Sequence, residues 1–283
     1  MQSTVDPDVL RQWIGRSETL EDTLHLGPAN LMEMTMDRAP SLSHGDTLPP
    51  LWHWLYFLRS APLHALGRDG HPAKGGFLPP VALPRRMWAG GRFGFDGNLQ
   101  IGAQVTKKST IKDVALKTGR TGALCFVTVR HEVGHTGSPP AFWEEHDIVY
   151  REDPTPDAPL PKSTPVGDDW HHCETLTPSE VLLFRYSALT FNGHRIHYDR
   201  DYARKVEGHG GLVVHGPLIA TLLIDMAQRL KQGASPKAFE FRAASPLFDT
   251  APFTLNARDL GDHVELAAAT TDGRLAMRAK ATF

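Results

Sequence analysis

The sequence predicts an α+β protein made of two copies of one unit, in each of which an antiparallel sheet wraps a central helix. Three observations carry this prediction. In each half a His-Gly pair, at residues 44–45 and 215–216, precedes an apolar stretch. Strand patterns follow both stretches, and a proline-rich segment divides the halves. A helix wrapped by a sheet is the hot-dog arrangement, so we predict a double hot-dog fold.

The first half is predicted to contain helices followed by strands. Apolar residues recur near helical spacing between residues 7 and 37, and Leu51–Leu58 is apolar enough to form the first central helix. Residues 60–84 are rich in Gly, Pro and His, which predicts a long loop. Alternating β-branched and aromatic residues predict strands from Arg85 to Glu152. We therefore assign residues 1–152 to a degenerate N-terminal hot-dog domain.

The second half repeats this order after a linker. Residues 153–167 contain five prolines, which fix φ and remove N–H donors, so this segment is predicted to be an extended linker. Residues 168–283 form the predicted C-terminal, catalytic hot-dog domain. The segment from Thr177 to Glu180 has the pattern of a capping box at a helix start. Leu218–Leu230 is apolar on nearly all sides, which predicts a buried central helix.

Composition excludes several classes of function. The 283 residues carry a formal net charge of −2, so no bulk attraction to nucleic acid is expected. No apolar run reaches about eighteen residues, and we expect no membrane-spanning helix. Cys125 and Cys173 are the two cysteines, which gives no disulfide framework. Together with an N-terminus that lacks a signal pattern, this predicts a cytoplasmic protein.

The polar segment at residues 190–198 is the strongest functional signal in the chain. It reads Thr-Phe-Asn-Gly-His-Arg-Ile-His-Tyr, and His215-Gly216-Pro217 follows at the predicted start of the central helix. His197 can exchange protons near neutral pH. The N–H groups around Gly216 can hold an oxygen that gains negative charge. Asn192 can position a group by hydrogen bonds. These three residues are the candidate catalytic set.

This segment resembles the R-specific enoyl-CoA hydratases and MaoC-like dehydratases. It is more similar to a subgroup that contains the type 2 3-hydroxyacyl-thioester dehydratases and the itaconyl-CoA and mesaconyl-CoA hydratases. The resemblance implies a lyase that adds water to, or removes it from, an acyl-CoA thioester. It also implies no metal or redox cofactor, because CoA is part of the substrate. We expect one active site per chain and a homodimer.

Asn192 marks a departure from the wider superfamily, which has a catalytic Asp at this position. An amide is neither protonated nor deprotonated near neutral pH, so Asn192 cannot be a general base. Either His197 carries the proton alone, or a nearby carboxylate such as Asp199 or Glu207 assists. The same departure keeps open a non-catalytic subunit that binds acyl-CoA.

The phosphates of CoA require basic partners. The resemblance places Arg242 near the mouth of the substrate tunnel, and Arg86 and Arg92 lie at the equivalent place in the first half. Solvated surface arginines are the alternative interpretation. The remaining candidates for substrate binding or for support of the site are His194, Arg195 and His215.

A metal site is the main alternative for the histidines. His194 and His197 could share one helical face, and further candidate ligands are His171, His172, Cys173, His209 and His215. Zinc sites usually show tighter paired ligand spacing, so we predict no metal.

The preferred substrate is the CoA thioester of a short dicarboxylic acid, of the itaconyl or mesaconyl type. Its free carboxylate requires a partner such as Arg86 or Arg92. The alternatives are a dehydratase for medium or long 3-hydroxyacyl thioesters and a hot-dog thioesterase. The residues expected to wall the acyl pocket from the first half are Trp52, Trp54, Tyr56 and Phe57.

Overall fold

The computed structural model describes residues 7–59, 61–119, 122–153 and 164–283. Its four α-helices are α1 (Pro7–Arg11), α2 (Leu26–Thr35), α3 (Glu180–Leu189) and α4 (Gly216–Leu230). Its ten strands are β1 (Ser17–Thr23), β2 (Arg85–Phe95), β3 (Gln104–Gly119), β4 (Gly122–His135), β5 (Phe142–Arg151), β6 (His172–Leu176), β7 (Ala238–Ala243), β8 (Phe253–Asp259), β9 (His263–Thr270) and β10 (Leu275–Thr282). Among the described residues, no helix is both long and apolar enough to cross a membrane.

All ten strands form one sheet in the order β1-β3-β4-β5-β2-β7-β10-β9-β8-β6. Both halves have the same internal order, because in each the first strand pairs with the third and the fifth pairs with the second. β2 and β7 join the halves through antiparallel pairs from Gly90↔Arg242 to Gly94↔Ala238. The repeat predicted from the sequence is therefore confirmed, and the two copies share one continuous sheet.

Helix α4 occupies the centre of the second half, as the sequence predicts. It starts at Gly216, with Pro217 in the first turn, where the missing N–H donor has no intrahelical partner in any case. Full burial of one Leu or Ile side chain contributes about 1.5–3 kcal/mol. The side chains that α4 buries are Leu218, Ile219, Ala220, Thr221, Leu222, Leu223, Ile224, Met226 and Ala227.

The predicted first central helix at Leu51–Leu58 is wrong. Its place is taken by one 3₁₀ turn at Trp52–Leu55. Leu51 and Phe57 have left-handed backbones, with φ of 68° and 55°, and these interrupt a helix on both sides. The Phe57 N–H donates to Asp22 Oδ2 at 2.6 Å, which holds the backbone outside helical geometry. Aromatic side chains in this run also have modest helix propensity.

Other predicted boundaries also shift. The helical prediction for residues 7–37 is wrong at its centre, where β1 alternates in exposure and pairs with β3. Helix α3 starts two residues later than the capping pattern suggests, because Ser179 is the N-cap and its side chain accepts a bond from the Leu182 N–H. Within the predicted linker, residues 154–163 lie outside the described residues. The domain limits at 152 and 168 therefore stay predictions.

Candidate active site

His197 lies in a 3₁₀ turn at Arg195–His197, which follows α3. Its side chain is buried, and the Nδ1–H group donates to the Val213 carbonyl oxygen at 2.7 Å. A carbonyl oxygen only accepts, so this bond places the proton on Nδ1 and leaves the lone pair on Nε2. Burial lowers the pKa of His197 to about 4, although the bond to Val213 opposes that shift. At neutral pH the side chain is thus an uncharged proton acceptor.

His215 lies directly against His197. The two rings stack with centroids 3.7 Å apart and an interplanar angle of 17°. His215 is fully buried, and its Nε2 is 2.8 Å from Ser187 Oγ. Burial holds the pKa of His215 well below its usual value, so the pair is neutral. His215 is the N-cap residue of α4 by backbone position, but its side chain makes no capping bond. It supports the ring of His197.

The start of α4 faces a residue of the first half. A Cβ added at Gly216 would lie 3.6 Å from Cε3 of Trp88, which belongs to β2. The Trp88 indole N–H is buried and has no hydrogen-bond partner among the described residues. The first N–H groups of a helix also lack intrahelical partners. The first-turn N–H groups of α4 can therefore hold an oxygen that gains negative charge, and the Trp88 side chain of the first half packs beside them.

Asn192 is placed in the turn that leads from α3 to His197. Its side-chain oxygen accepts a hydrogen bond from the backbone N–H of His194 at 3.0 Å. This is the geometry of an Asx turn, which shapes the backbone locally. The preceding Phe191 has a φ of 48°, so the turn is tight. The contact therefore shapes residues 190–198, the candidate catalytic segment.

The carboxylates suggested as helpers of His197 bind other groups. Asp199 accepts from the Tyr202 N–H at 2.9 Å and pairs with Arg195 at 2.7 Å. These contacts lower the pKa of Asp199, with the bond from Tyr202 as the largest cause. Glu207 pairs with Arg85 at 2.9 Å and accepts from the Tyr202 hydroxyl at 3.0 Å. Both carboxylates therefore have structural roles in the described contacts.

Two residues that sequence reasoning missed lie next to the catalytic segment. His71 Nδ1 is 2.9 Å from Asp69 Oδ2, and the ring of His71 lies 4.3 Å from that of His194. The ring of His194 is in turn 5.5 Å from that of His197. Burial lowers the pKa of His194 to about 2. The only signal in the sequence was the His content of the loop at residues 60–84, which gave no hint of its docking partner.

The predicted arginines have different surroundings. Arg92 pairs with Glu145 at 2.7 Å and with Asp147 at 2.8 Å. Arg242 is exposed on β7. Arg86 lines an open groove of about 240 Å³, together with Arg59 and Lys74. Arg195 donates to the Arg68 carbonyl oxygen at 3.1 Å and so ties the catalytic segment to the first half.

The first half contains a buried polar cluster of its own. Glu144 is 1 % exposed and lies 3.1 Å from His53 Nε2 and 3.0 Å from His146 Nε2. The Trp54 indole N–H donates to the same carboxylate at 3.1 Å. Burial alone would raise the pKa of Glu144, but the two imidazoles hold it well below its usual value. Glu144 is therefore an ionised and well-satisfied carboxylate.

Two sets of side chains have donor atoms that could surround a cation. Three atoms from Asp69, His71 and His194 lie within 4.8 Å of one another, and so do three from His131, Glu144 and His146. In the second set the carboxylate already accepts from Trp54 and His146. The three side chains of the first set are partly buried, and the ring of His194 lies 5.5 Å from the ring of His197.

A buried neutral imidazole beside a helix N-terminus, in a double hot-dog fold, is the arrangement expected of a hydro-lyase that acts on acyl thioesters. Residues 51–249 match the family described as "Hydroxyacyl-thioester dehydratase type 2". The chain is 47% identical over 271 residues to the "Mesaconyl-C(4)-CoA hydratase" of Chloroflexus aurantiacus, covering 94% of this chain and 95% of that protein. The chain belongs to the type 2 hydroxyacyl-thioester dehydratase family.

Solved structures confirm the fold. A MaoC-like dehydratase from Phytophthora capsici superposes with a TM-score of 0.69 at 15% identity, and 99% of each chain is covered. A Mycobacterium tuberculosis protein whose structure is described as a double hot-dog fold superposes with a TM-score of 0.56 at 13% identity, covering 95% of this chain and 96% of that one. The predicted α+β double hot dog is therefore confirmed.

Proposed function

We propose that the protein adds water reversibly to the C2–C3 double bond of a short dicarboxylic enoyl-CoA of the mesaconyl-C4 type. One observation carries the chemistry: His197 is buried and neutral beside the start of α4, and its Nε2 has no hydrogen-bond partner among the described residues. The relative named "Mesaconyl-C(4)-CoA hydratase" supports the acyl group.

The reaction follows from these positions. His197 Nε2 takes a proton from water as the water oxygen forms its bond to C3. The electron pair of the double bond moves toward C2 and the thioester. The N–H groups at Gly216, beside the Trp88 ring, hold the thioester oxygen while it carries enolate charge. Asn192 fixes the turn that presents His197. C2 must also gain a proton, which an amide cannot supply.

The remaining binding roles are assigned by elimination. Arg92 is occupied by Glu145 and Asp147, so Arg86 is the better candidate for an anionic part of the substrate. Its groove also contains Lys74, and Arg59, which pairs with Glu18 at its rim, so the groove carries a net positive charge that suits the phosphates of CoA. Arg242 is exposed and can contribute to the same path. We infer that the acyl group packs against aromatic residues of the first half, among them Trp54 and Trp88.

Cofactor, location and assembly are also inferred. The reaction moves only water and protons, so we propose that no redox cofactor or metal takes part and that CoA enters as part of the substrate. We further infer a cytoplasmic homodimer, and light scattering of the purified chain tests its size.

The function is tested by following the loss of enoyl-thioester absorbance with mesaconyl-C4-CoA, crotonyl-CoA and a long-chain 2-enoyl-CoA. We expect mesaconyl-C4-CoA to give the highest kcat/KM. A preference for the long chain would favour the second candidate, a fatty 3-hydroxyacyl-thioester dehydratase, which the family description supports. Release of free thiol would instead show a thioesterase, and binding without turnover would show a non-catalytic subunit.

A further inference from the structure

A loop of the first half, residues 65–73, is built as a rigid unit. Its ends pair through a bridge between Leu66 and Pro72 and a bond from the Ala73 N–H to the Ala65 carbonyl oxygen at 2.9 Å. Inside it, the Gly67 N–H donates to the His71 carbonyl oxygen at 2.7 Å. The loop therefore holds its side chains in fixed positions.

This loop docks on the catalytic segment. The Arg195 N–H donates to the Asp69 carbonyl oxygen at 2.9 Å. Gly70 has a φ of 86°, and a Cβ at this residue would collide with the carbonyl oxygen of Gly193. Only glycine permits so close an approach with this backbone conformation. The two loops are therefore in direct backbone contact. Of the two residues that share this hydrogen bond, Asp69 lies two residues before His71, and Arg195 lies two residues before His197.

The loop carries a carboxylate–imidazole pair at this contact. His71 Nδ1–H donates to Asp69 Oδ2 at 2.9 Å, so the proton position on the ring is fixed and Nε2 is left for exchange. Burial alone would raise the pKa of Asp69, but the hydrogen bond from His71 and the charge of His71 outweigh burial. The net pKa of Asp69 is lowered, so the carboxylate stays ionised. Both side chains are about one-quarter exposed and so remain in contact with solvent.

We propose that Asp69, His71 and His194 form a proton path that supplies the proton taken by C2, a proposal that rests on the hydratase function above. Donor atoms of the three side chains lie within 4.8 Å of one another, which one water molecule or a small ring movement bridges. His194 then faces His197, with ring centroids 5.5 Å apart. The path provides the second proton carrier that Asn192 cannot be.

The atoms balance over one turnover. His197 breaks one O–H bond of water and keeps the proton, while the hydroxide forms the bond to C3. His71 enters the turnover as an imidazolium, with Nδ1–H on Asp69 and the transferable proton on Nε2. C2 takes a proton from one nitrogen of His194, the other nitrogen of His194 receives the Nε2 proton of His71, and His71 is left neutral. The proton left on His197 then refills His71 through His194 or solvent. Asp69 stays ionised and orients His71, so water is the only species consumed.

The test uses the full chain and the enoyl-CoA that the wild type hydrates fastest. His71→Ala is compared with His64→Ala, which removes an exposed imidazole from the neighbouring 3₁₀ turn. We expect His71→Ala to lower kcat about 100-fold with little change in KM. One limb of the pH profile of kcat should disappear, and added imidazole should restore part of the rate. His64→Ala should match the wild type.

Three results would overturn the proposal. The first is a wild-type kcat and pH profile in both His71→Ala and Asp69→Asn. The second is a loss in His71→Ala that imidazole does not restore and that parallels a fall in Tm, which would indicate a structural role alone. The third is loss of wild-type activity on chelation and its return with zinc, which would make the three groups metal ligands. A wild type that hydrates no enoyl-CoA would instead refute the proposed function.

Discussion

The two halves have the same strand order but different central segments. In the second half, α4 extends over fifteen residues and buries apolar side chains on nearly every side. In the first half the equivalent place holds a four-residue 3₁₀ turn, with Trp54 and His53 directed at Glu144. The sheet therefore needs side chains packed against its inner face, but these need not come from a helix. In the first half they are aromatic and polar groups.

The buried imidazoles show the consequence. His197 and His215 stack on each other with no carboxylate bonded to either ring among the described contacts, and burial keeps both neutral. His53 and His146 instead flank Glu144, whose pKa they hold well below its usual value. A neutral buried imidazole is ready to accept a proton, whereas one beside a buried carboxylate stabilises that charge. The same fold thus holds a neutral imidazole pair in one half and an ionised carboxylate in the other.

Replacing His197, the proposed base in the second half, should have the largest effect on the rate. His197→Asn should lower kcat by about 100-fold to 10,000-fold, because it removes the group that takes the proton from water. Enoyl-CoA hydration measures the loss, and circular dichroism checks the fold. A rate within about threefold of the wild type would mean that the base has been misassigned.

Replacing Glu144, the buried carboxylate of the first half, should lower the stability of the protein. Glu144→Ala leaves the buried His53 and the partly buried His146 without their carboxylate, and we expect it to reduce the free energy of unfolding by about 3–5 kcal/mol. Urea denaturation measures the change. Glu21→Ala, which removes an exposed carboxylate on β1, serves as the control and should be nearly neutral. Equal midpoints for the two variants would contradict the contrast between the halves.

The start of α4 should be sensitive to a single methyl group. Gly216→Ala fits sterically, since its Cβ would lie 3.6 Å from Trp88, so the fold should be retained. The methyl group would occupy space meant for the thioester, and a displacement of about 1 Å can cost up to 100-fold in rate. We expect kcat to fall about tenfold or more. An unchanged kcat would place the thioester elsewhere.

The most selective effect should appear in the pH dependence. The pKa of His197 is lowered to about 4, whereas the unfolded chain titrates near its ordinary value, about 6.5. The unfolded state binds the extra proton between these values, so stability is full above about pH 6.5 and is lost as the pH falls toward 4. The contribution is roughly 3 kcal/mol. Melting temperatures measured across this window should show a shallower slope in His197→Asn.

Glu144 should produce its own loss of stability at lower pH. Its pKa is depressed in the folded state, so its contribution is present above the ordinary glutamate range and is lost as the pH falls below it. The contributions of His197 and Glu144 to stability can thus be distinguished by the pH range in which each is lost.

Local patterns predicted the strands of both halves and the central helix of the second half, but they failed for the helices of the first half. The apolar run at Leu218–Leu230 and the segment at residues 190–198 were recognisable because their signals lie within one element. The apolar run at Leu51–Leu58 is similar in composition, yet long-range bonds, such as that from Phe57 to Asp22, impose a different backbone. Tertiary contacts override propensity in such cases.

Contacts between distant residues escaped prediction for the same reason. His71 and His194 lie in two loops that meet only in the folded protein. Neither loop carries a sequence pattern that indicates which residues it will contact. The roles of Asp199 and Glu207 were equally hidden, since their ion pairs depend on where Arg195 and Arg85 are placed.

The ladder between β2 and β7 has a further consequence for the history of the chain. Without the first half, β7 would present a row of free N–H and C=O groups, which is a template for aggregation. A copy that no longer carries the polar motif is therefore still required as a cover for that edge. The strand order of the first half is therefore needed for this cover alone, whatever chemistry its side chains supply.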